Sequence, residues 1–330
     1  MKELRYPAVV ILGPTASGKS HLANEVAKRY NGEIVNCDSV QIYRGFVIGA
    51  AKATQAEQRG IPHYLLDIAG PDDEFTAGDY AREARKVLIS ISERRKLPIV
   101  VGGTGFYLKA VLRGLPAAPL RNQSLRSRLQ RVRIRRPAAL HRLLTAADSA
   151  AAARIHPNDH QKLIRAIEIA SSSRESTSEK LEDVHQELSP FRILKVGLSP
   201  PRPLLHEAVN NRTMQMFTSG LLEETRQLLA TGYGPESKPM QSLGYRQAVQ
   251  VLSGTASLSA AIEDCQAKTR QYVKRQMTWF RKEDDVHWME GFGTDCEIQA
   301  DVFSLVAGFL GATYDDHYDE LSGGQLNSFP

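Results

Sequence analysis

The chain has 330 residues, 42% of them hydrophobic and 24% charged, and 42 basic against 37 acidic side chains give a net charge of +5. That length exceeds what one compact core usually takes, so two domains are expected; the composition is that of a globular protein, and no apolar run reaches membrane-spanning length. Three widely spaced cysteines, Cys37, Cys265 and Cys296, argue against a disulfide framework or a zinc site and point to a reducing cytoplasm.

In chain order, "PAVVIL" (7–12) reads as a buried strand, too close to the N-terminus to be a signal peptide. A glycine-rich turn follows. From Lys19, "KSHLANEVAKRY" carries Leu22, Ala23, Val26 and Ala27 at helical spacing and stops near Asn31-Gly32. "EIVNC" reads as a second strand ending at Asp38, and "HYLLDI" as a third. "FTAGDYAREARKVLISISERRK" is a long helix with Thr76 as its cap, and "LPIVVGG" is another buried strand. Alternating strands and helices describe a parallel sheet with crossover helices.

Gly114, Pro116 and Pro119 then break the pattern. Residues 121–188 hold no strong strand and are expected to be a helical insertion into the α/β core. Its first part, "RNQSLRSRLQRVRIRRPAALHR", has eight arginines and no acid, a charge distribution suited to a polyanion. Strand character returns at "FRILKVGLS", and the chain from there to residue 312 reads as mostly helical. Residues 313–330, acidic and then small and polar, are expected to form a disordered tail.

Several stretches carry candidate chemistry. "GPTASGKS" (Gly13, Pro14, Thr15, Ala16, Ser17, Gly18, Lys19, Ser20) fits G-x-x-x-x-G-K-[ST] between a strand and a helix, the context in which such a loop cradles phosphates. The loop alone does not say whether ATP, GTP or another molecule carries them. Asp38 follows the second strand at the sheet edge where α/β sites lie, as a base, a metal ligand or a simple turn residue. Thr104 follows "IVVGG"; by itself a helix-cap role is the better reading, and the acid that hydrolases carry there is missing. "HPNDHQKLIRAIEI" starts a helix with Leu163, Ile164 and Ile167 on its apolar face and Lys162 and Arg165 off it. "TRQYVKRQMTWFRK" puts Tyr272, Gln276, Trp279 and Phe280 near one helical face, which reads as core, with exposed cations around it.

Together, "GPTASGKS", "DSVQIYRG", "GAAK", "PHYLLD", "VGGTGFYLKA", "ARIHPND", "SLGYRQA" and "TRQYVKRQMTWFR" resemble the tRNA dimethylallyltransferases over roughly residues 7–290. The fold expected is α/β, a P-loop NTPase-like core with a parallel sheet and flanking helices (1–120 and 189–312), plus an inserted all-helical domain and a helical C-terminal region. The resemblance implies transfer of a dimethylallyl group from dimethylallyl diphosphate to N6 of the adenosine 3′ of the anticodon, with Mg²⁺ as cofactor. It implies that Gly13 through Ser20 hold the diphosphate, that Asp38, Thr104 and Arg212 are catalytic, and that Ser20 and Thr104 serve the metal. It assigns tRNA contacts to Asp38, Ser39, Val40, Gln41, Thr104 and Arg126, to Asp159, His160, Gln161, Lys162 and Leu163, and to Gln241, Ser242, Leu243, Gly244, Tyr245 and Arg246. The partners implied are the tRNA anticodon stem-loop and dimethylallyl diphosphate, with no membrane and no protein partner, for a cytoplasmic monomer. Ala50 departs from the family's usual Thr, and Gln241 stands where some members carry Arg. A phosphate-loop kinase acting on a small molecule or nucleoside is the rival reading, and a non-enzymatic nucleic-acid-binding module a second.

Overall fold

The computed structural model describes residues 6–70, 73–115, 119, 122–172 and 188–322, with side chains to residue 311. The chain divides into two compact units, Met1–Leu112 with Leu188–Pro330, and Arg113–Glu187.

The first unit is built on a six-stranded sheet. Its strands are β1 (Tyr6–Leu12), β2 (Gly32–Asn36), β3 (His63–Tyr64), β4 (Leu97–Gly102), β5 (Phe191–Leu198) and β6 (Val286–Met289). They lie in the order β3-β2-β4-β1-β5-β6, every pair parallel. Parallel strands covered on both faces need continuous apolar runs, and Val9, Ile11, Ile34, Ile99 and Val196 are essentially inaccessible. Helices α1 (Lys19–Arg29), α2 (Gln55–Gln58), α3 (Ala77–Glu93) and α4 (Gly105–Arg113) follow the early strands. Thr76 caps α3 in a reciprocal box with Asp79.

Two differences from the sequence reading have local causes. The third strand ends at Tyr64, since Leu65 and Asp67 take left-handed φ of 63° and 56° and turn the chain. The strand β6, "VHWM", lies in a region read as helical; it is too short and too mixed to show a period of two and exists by pairing with β5.

The second unit holds α5 (Gln123–Arg135), α6 (Pro137–Ala147), α7 (Ser149–Arg154) and α8 (His160–Ser172). Leu129, Leu140, Leu144, Leu163, Ile164 and Ile167 make its core, with Ala151 and Ala152. Asp148 ends α6 and caps α7, its Oδ1 accepting from Ala151 N at 2.8 Å. Residues 173–187, which complete the expected insertion, lie outside the described residues.

After β5 come α9 (Arg202–Thr218), α10 (Leu221–Ala230), α11 (Tyr245–Leu252), α12 (Leu258–Phe280) and, past β6, α13 (Cys296–Ser322). Val302 and Val306 of α13 join the sheet core, and Tyr30 of the first unit donates to Phe303 O at 2.6 Å. The helix runs on through residues 313–322, where the composition suggested a disordered tail; 323–330 lie outside the described residues. Among the described residues no helix is long and apolar enough to cross a membrane.

Candidate active site

The turn from β1 into α1 is built for an anion. Gly18 takes φ 81°, a left-handed value that suits glycine, and α1 begins with no side-chain cap and no acid in its first turn. Its free amides and dipole therefore favour negative charge at Lys19 and Ser20. Thr15, Ala16, Gly18, Lys19 and Ser20 line a cavity of about 750 Å³. Gly13 and Pro14 are buried, and Ser17 is fully buried with an Oγ that has no hydrogen-bond partner. Lys19 Nζ donates to Pro14 O at 3.1 Å. Burial lowers the Lys19 ammonium to about 8; Arg212 adds to the shift and Asp38 opposes it.

The carboxyl edge of the sheet supplies the opposite wall. Asp38, Ser39, Val40 and Gln41 line the cavity after β2, as do Gly102, the last residue of β4, and Gly103 beyond it. Asp38 Oδ1 accepts from the amides of Val40 at 2.8 Å and Gln41 at 3.3 Å. The turn role and a role in chemistry thus coexist, since the turn fixes the carboxylate at the cavity. Thr104 is not among the lining residues. Its Oγ1 accepts from Ser39 N at 3.1 Å, and its amide donates to Cys37 O at 3.2 Å. The glycines before it serve close packing within the protein: a Cβ on Gly102 would fall 2.0 Å from Cys37 O, and one on Gly103 2.4 Å from Gln276 Nε2. The Cys37 thiol is buried and pushed up to about 12 by that burial, so it stays protonated behind the site.

Arg212 enters from α9, lines the cavity and donates from Nη1 to Thr15 Oγ1 at 3.1 Å. Burial lowers its guanidinium and the Asp38 carboxylate opposes that shift. Lys19, Arg212 and Asp38 are therefore electrostatically coupled in one cavity.

The residues assigned to RNA fall into different settings. Gln241, Ser242, Leu243 and Arg246 line the cavity. Tyr245 does not offer a stacking face: it is fully buried, edge-on to Phe46 at 4.7 Å between ring centres, with its hydroxyl on Glu224 Oε1 at 2.5 Å. Gly244 beside it is buried too. In the second unit, Leu163 is fully buried in the helical core, so it supports its neighbours and presents no surface. Asp159 Oδ1 accepts from Lys162 N at 3.2 Å and its carboxylate pairs with the exposed Lys162 at 2.7 Å; His160 is half-buried and Gln161 exposed. Arg126 is held by both oxygens of Glu168, at 3.1 and 2.8 Å, with Glu168 only 1% exposed. That guanidinium is paired within its own unit, so any contact with nucleic acid would compete with Glu168 for it.

The face of α12 assigned to core splits. Phe280 is buried, Trp279 is 40% exposed against Phe106, and Tyr272, Arg275 and Gln276 line the cavity. Sequence reasoning missed the supports. Glu224 accepts from Ile48 N at 2.7 Å and Gly49 N at 3.3 Å, setting the loop whose Ala50 O accepts from Gln41 Nε2 at 3.0 Å. Gly293 N donates to Ser17 O at 2.9 Å, so the turn after β6 braces the phosphate loop from behind. The glycines of "GFG" (291–293) were the one local signal.

Among the described residues no three His, Cys, Asp or Glu side chains form a metal cluster. The oxygens at the site fit a different kind of ion: Mg²⁺ takes one or two hard protein oxygens and completes its shell with phosphate and water. Ser20 is exposed at the cavity, whereas Thr104 stands behind the lining residue Ser39 and keeps a lone pair beyond its bond to it.

Comparison with known proteins agrees with this geometry. The sequence profile described as IPP transferase matches residues 41–283. A tRNA dimethylallyltransferase of Koribacter versatilis is 49% identical over 298 residues, covering 90% of this chain and 97% of its own. The crystal structure of a full-length tRNA isopentenylpyrophosphate transferase of Bacillus halodurans superposes with a TM-score of 0.71 at 34% identity, covering 95% of this chain and all of the other. A eukaryotic dimethylallyltransferase captured acting on tRNA superposes with a TM-score of 0.76 at 26% identity, covering 98% of this chain and 81% of its own. These relatives give no support to a kinase. With a phosphate loop, a sheet-edge carboxylate and a coupled arginine in one cavity, and relatives matched along nearly its whole length, the chain belongs to the tRNA dimethylallyltransferase family.

Proposed function

We propose that the protein transfers the dimethylallyl group of dimethylallyl diphosphate to N6 of the adenosine just 3′ of the anticodon in tRNAs reading codons that start with U. The observation that carries this reading is the shared cavity of Lys19, Arg212 and Asp38, two cations and one carboxylate. The C1–O bond of the allylic diphosphate breaks, and its electrons leave with the diphosphate. Lys19 and Arg212 face that growing charge in a site where their own hydration is already reduced, which strengthens their pull. The N6 lone pair forms the new bond to carbon, and the nitrogen then gives its proton to Asp38. The amides of Val40 and Gln41 hold the Asp38 carboxylate in place for this. Mg²⁺, held by Ser20 and Thr104 with the diphosphate, would supply further positive charge against the leaving group.

The adenine must leave its stack to enter the cavity, at a cost of about a few kcal/mol, least in an unpaired loop. The exposed cations Lys274, Arg275, Arg281 and Lys282 of α12 and the residues after it are suited to the RNA backbone on that side. No phosphate is transferred, so ATP is not required.

Incubation with isotopically labelled dimethylallyl diphosphate and tRNA, followed by mass spectrometry of the nucleosides, should reveal N6-(dimethylallyl)adenosine without added ATP. Strict dependence on ATP would sink the reading. In the same assay Asp38→Asn should slow single-turnover transfer by about 10²–10⁴-fold while tRNA affinity holds; a defect confined to affinity would remove the base role.

A further inference from the structure

Gln276 stands at a junction that the reaction above leaves unused. It lies on α12, is 5% exposed, and reaches two separate parts of the site. Its Oε1 accepts from the Thr15 amide of the phosphate loop at 3.0 Å. Its Nε2 donates to Gly103 O, in the turn before Thr104, at 2.8 Å. The amide can satisfy both partners in only one orientation, because a flipped amide would set oxygen against carbonyl and N–H against N–H. Gly103 has no side chain to obstruct it, whereas a Cβ there would lie 2.4 Å from Nε2.

Each partner is tied to a reacting group. Thr15 Oγ1 accepts from Arg212 Nη1 at 3.1 Å. On the other side Thr104 Oγ1 accepts from Ser39 N at 3.1 Å, and Ser39 follows Asp38 directly. The Thr15 amide, in the phosphate loop, is spent on this side chain.

Resting on the transferase reading, we infer that Gln276 is a positioning residue that sets the spacing between the leaving-group grip, Thr15 with Arg212, and the proton-accepting edge, Asp38 with Thr104. An in-line displacement needs the nucleophile, the carbon and the leaving oxygen aligned. The grip and the base lie on different loops that no local sequence contact joins; Gln276 ties Thr15 directly to Gly103, and the chain continues from there through Thr104 to Ser39 beside Asp38. Both ends of its side-chain amide are engaged by protein backbone.

The test uses the full chain with Gln276→Leu and Gln276→Glu. Single-turnover transfer is measured per folded molecule, with KM for dimethylallyl diphosphate and tRNA affinity followed separately. Gln276→Leu should lose about 10²-fold in rate, the cost of misplacing reacting groups by an ångström or so, with a smaller but definite rise in KM for dimethylallyl diphosphate, because Thr15 belongs to its grip, and no change in tRNA affinity. Gln276→Glu provides the readout that a merely structural role would not move. An ionised carboxylate still accepts from Thr15 but repels Gly103 O, whereas a protonated one restores both hydrogen bonds. The rate of this variant relative to the wild type should therefore rise as pH falls through the titration of the introduced carboxyl, which burial and Asp38 raise and the cations Lys19, Arg212 and Arg275 of the same cavity lower. A wild-type rate per folded molecule in Gln276→Leu, or a variant-to-wild-type ratio independent of pH, would overturn the inference. If the wild type itself transfers no prenyl group, the transferase reading falls, and affinity for inorganic diphosphate becomes the readout. Weaker binding in both variants, recovering on acidification only in Gln276→Glu, then supports the link, and unchanged binding overturns it.

Discussion

Arg212 and Arg126 are the same side chain put to opposite uses. Arg212 lines a cavity with Lys19, shares one carboxylate there, Asp38, and spends one N–H on Thr15. Burial lowers its guanidinium, and the Asp38 carboxylate opposes that shift. Arg126 is paired through both arms with Glu168, itself 1% exposed. Burial pushes the Glu168 carboxyl up, but the Arg126 hydrogen bonds and charge, helped by Arg165, hold it below its ordinary value. In the first unit the arginine bonds a neutral hydroxyl beside a cavity; in the second it bonds a carboxylate. Arginine density in a sequence therefore measures charge and does not measure availability.

The contrast breaks most visibly at Arg212. Arg212→Gln should lower single-turnover transfer by about 10³-fold with little loss of thermal stability, because a buried cation that lacks a full partner costs the apo fold little when removed. A loss of stability with normal chemistry would make Arg212 structural like Arg126. The reverse substitution sharpens the other half. Arg126→Gln should destabilise the second unit by about 3 kcal/mol, since among the described residues Glu168 would be left buried with Arg165 Nη1 at 3.6 Å as its cation, and chemistry per folded molecule should persist. Denaturant melts alongside filter binding would check it; full stability with weakened, salt-dependent tRNA binding would return Arg126 to the interface.

The smallest effect concerns pH. Lys19, lowered to about 8, is increasingly neutral above that value in the free protein, and a diphosphate binds its charged form. Affinity for inorganic diphosphate should hold below pH 8 and fall towards tenfold per pH unit above it. The sign for folding is opposite: an ammonium lowered from 10.5 costs stability while charged, so the apo protein gains stability as pH rises from about 8 towards 10.5. Calorimetric titration of the wild type and Lys19→Met would show the binding effect; an identical pH profile in both would assign it to another group.

Much of the fold was legible because its signals are local. The run Val9–Leu12, the glycine turn and the apolar spacing of α1 lie within about twenty residues, and hydrophobic periodicity and backbone freedom act over such distances. Leu163 shows where motif matching overreaches. A matched motif assigns a whole stretch to a partner, yet the spacing of Leu163, Ile164 and Ile167 already marked a face that must turn inward. Tyr245 is similar: its hydroxyl satisfies Glu224 and its ring fills space beside Phe46, so the aromatic serves the loop at Gly49. Strand β6 was illegible because four residues bordering a longer strand draw their conformation from that neighbour.

By itself, the sequence determined the phosphate loop, the carboxylate at the end of β2, the apolar strands of the sheet and the separate helical insertion, because each depends on residues close together in the chain. Only the tertiary structure decided which charges are free to act. The Gln276 bonds to Thr15 and Gly103 cross 261 and 173 residues, Arg212 reaches Thr15 across 197, and Arg126 finds Glu168 on another helix. Hydrogen bonds and ion pairs are short-ranged in space and indifferent to distance along the chain, so the partner that a buried polar group finds is settled by packing.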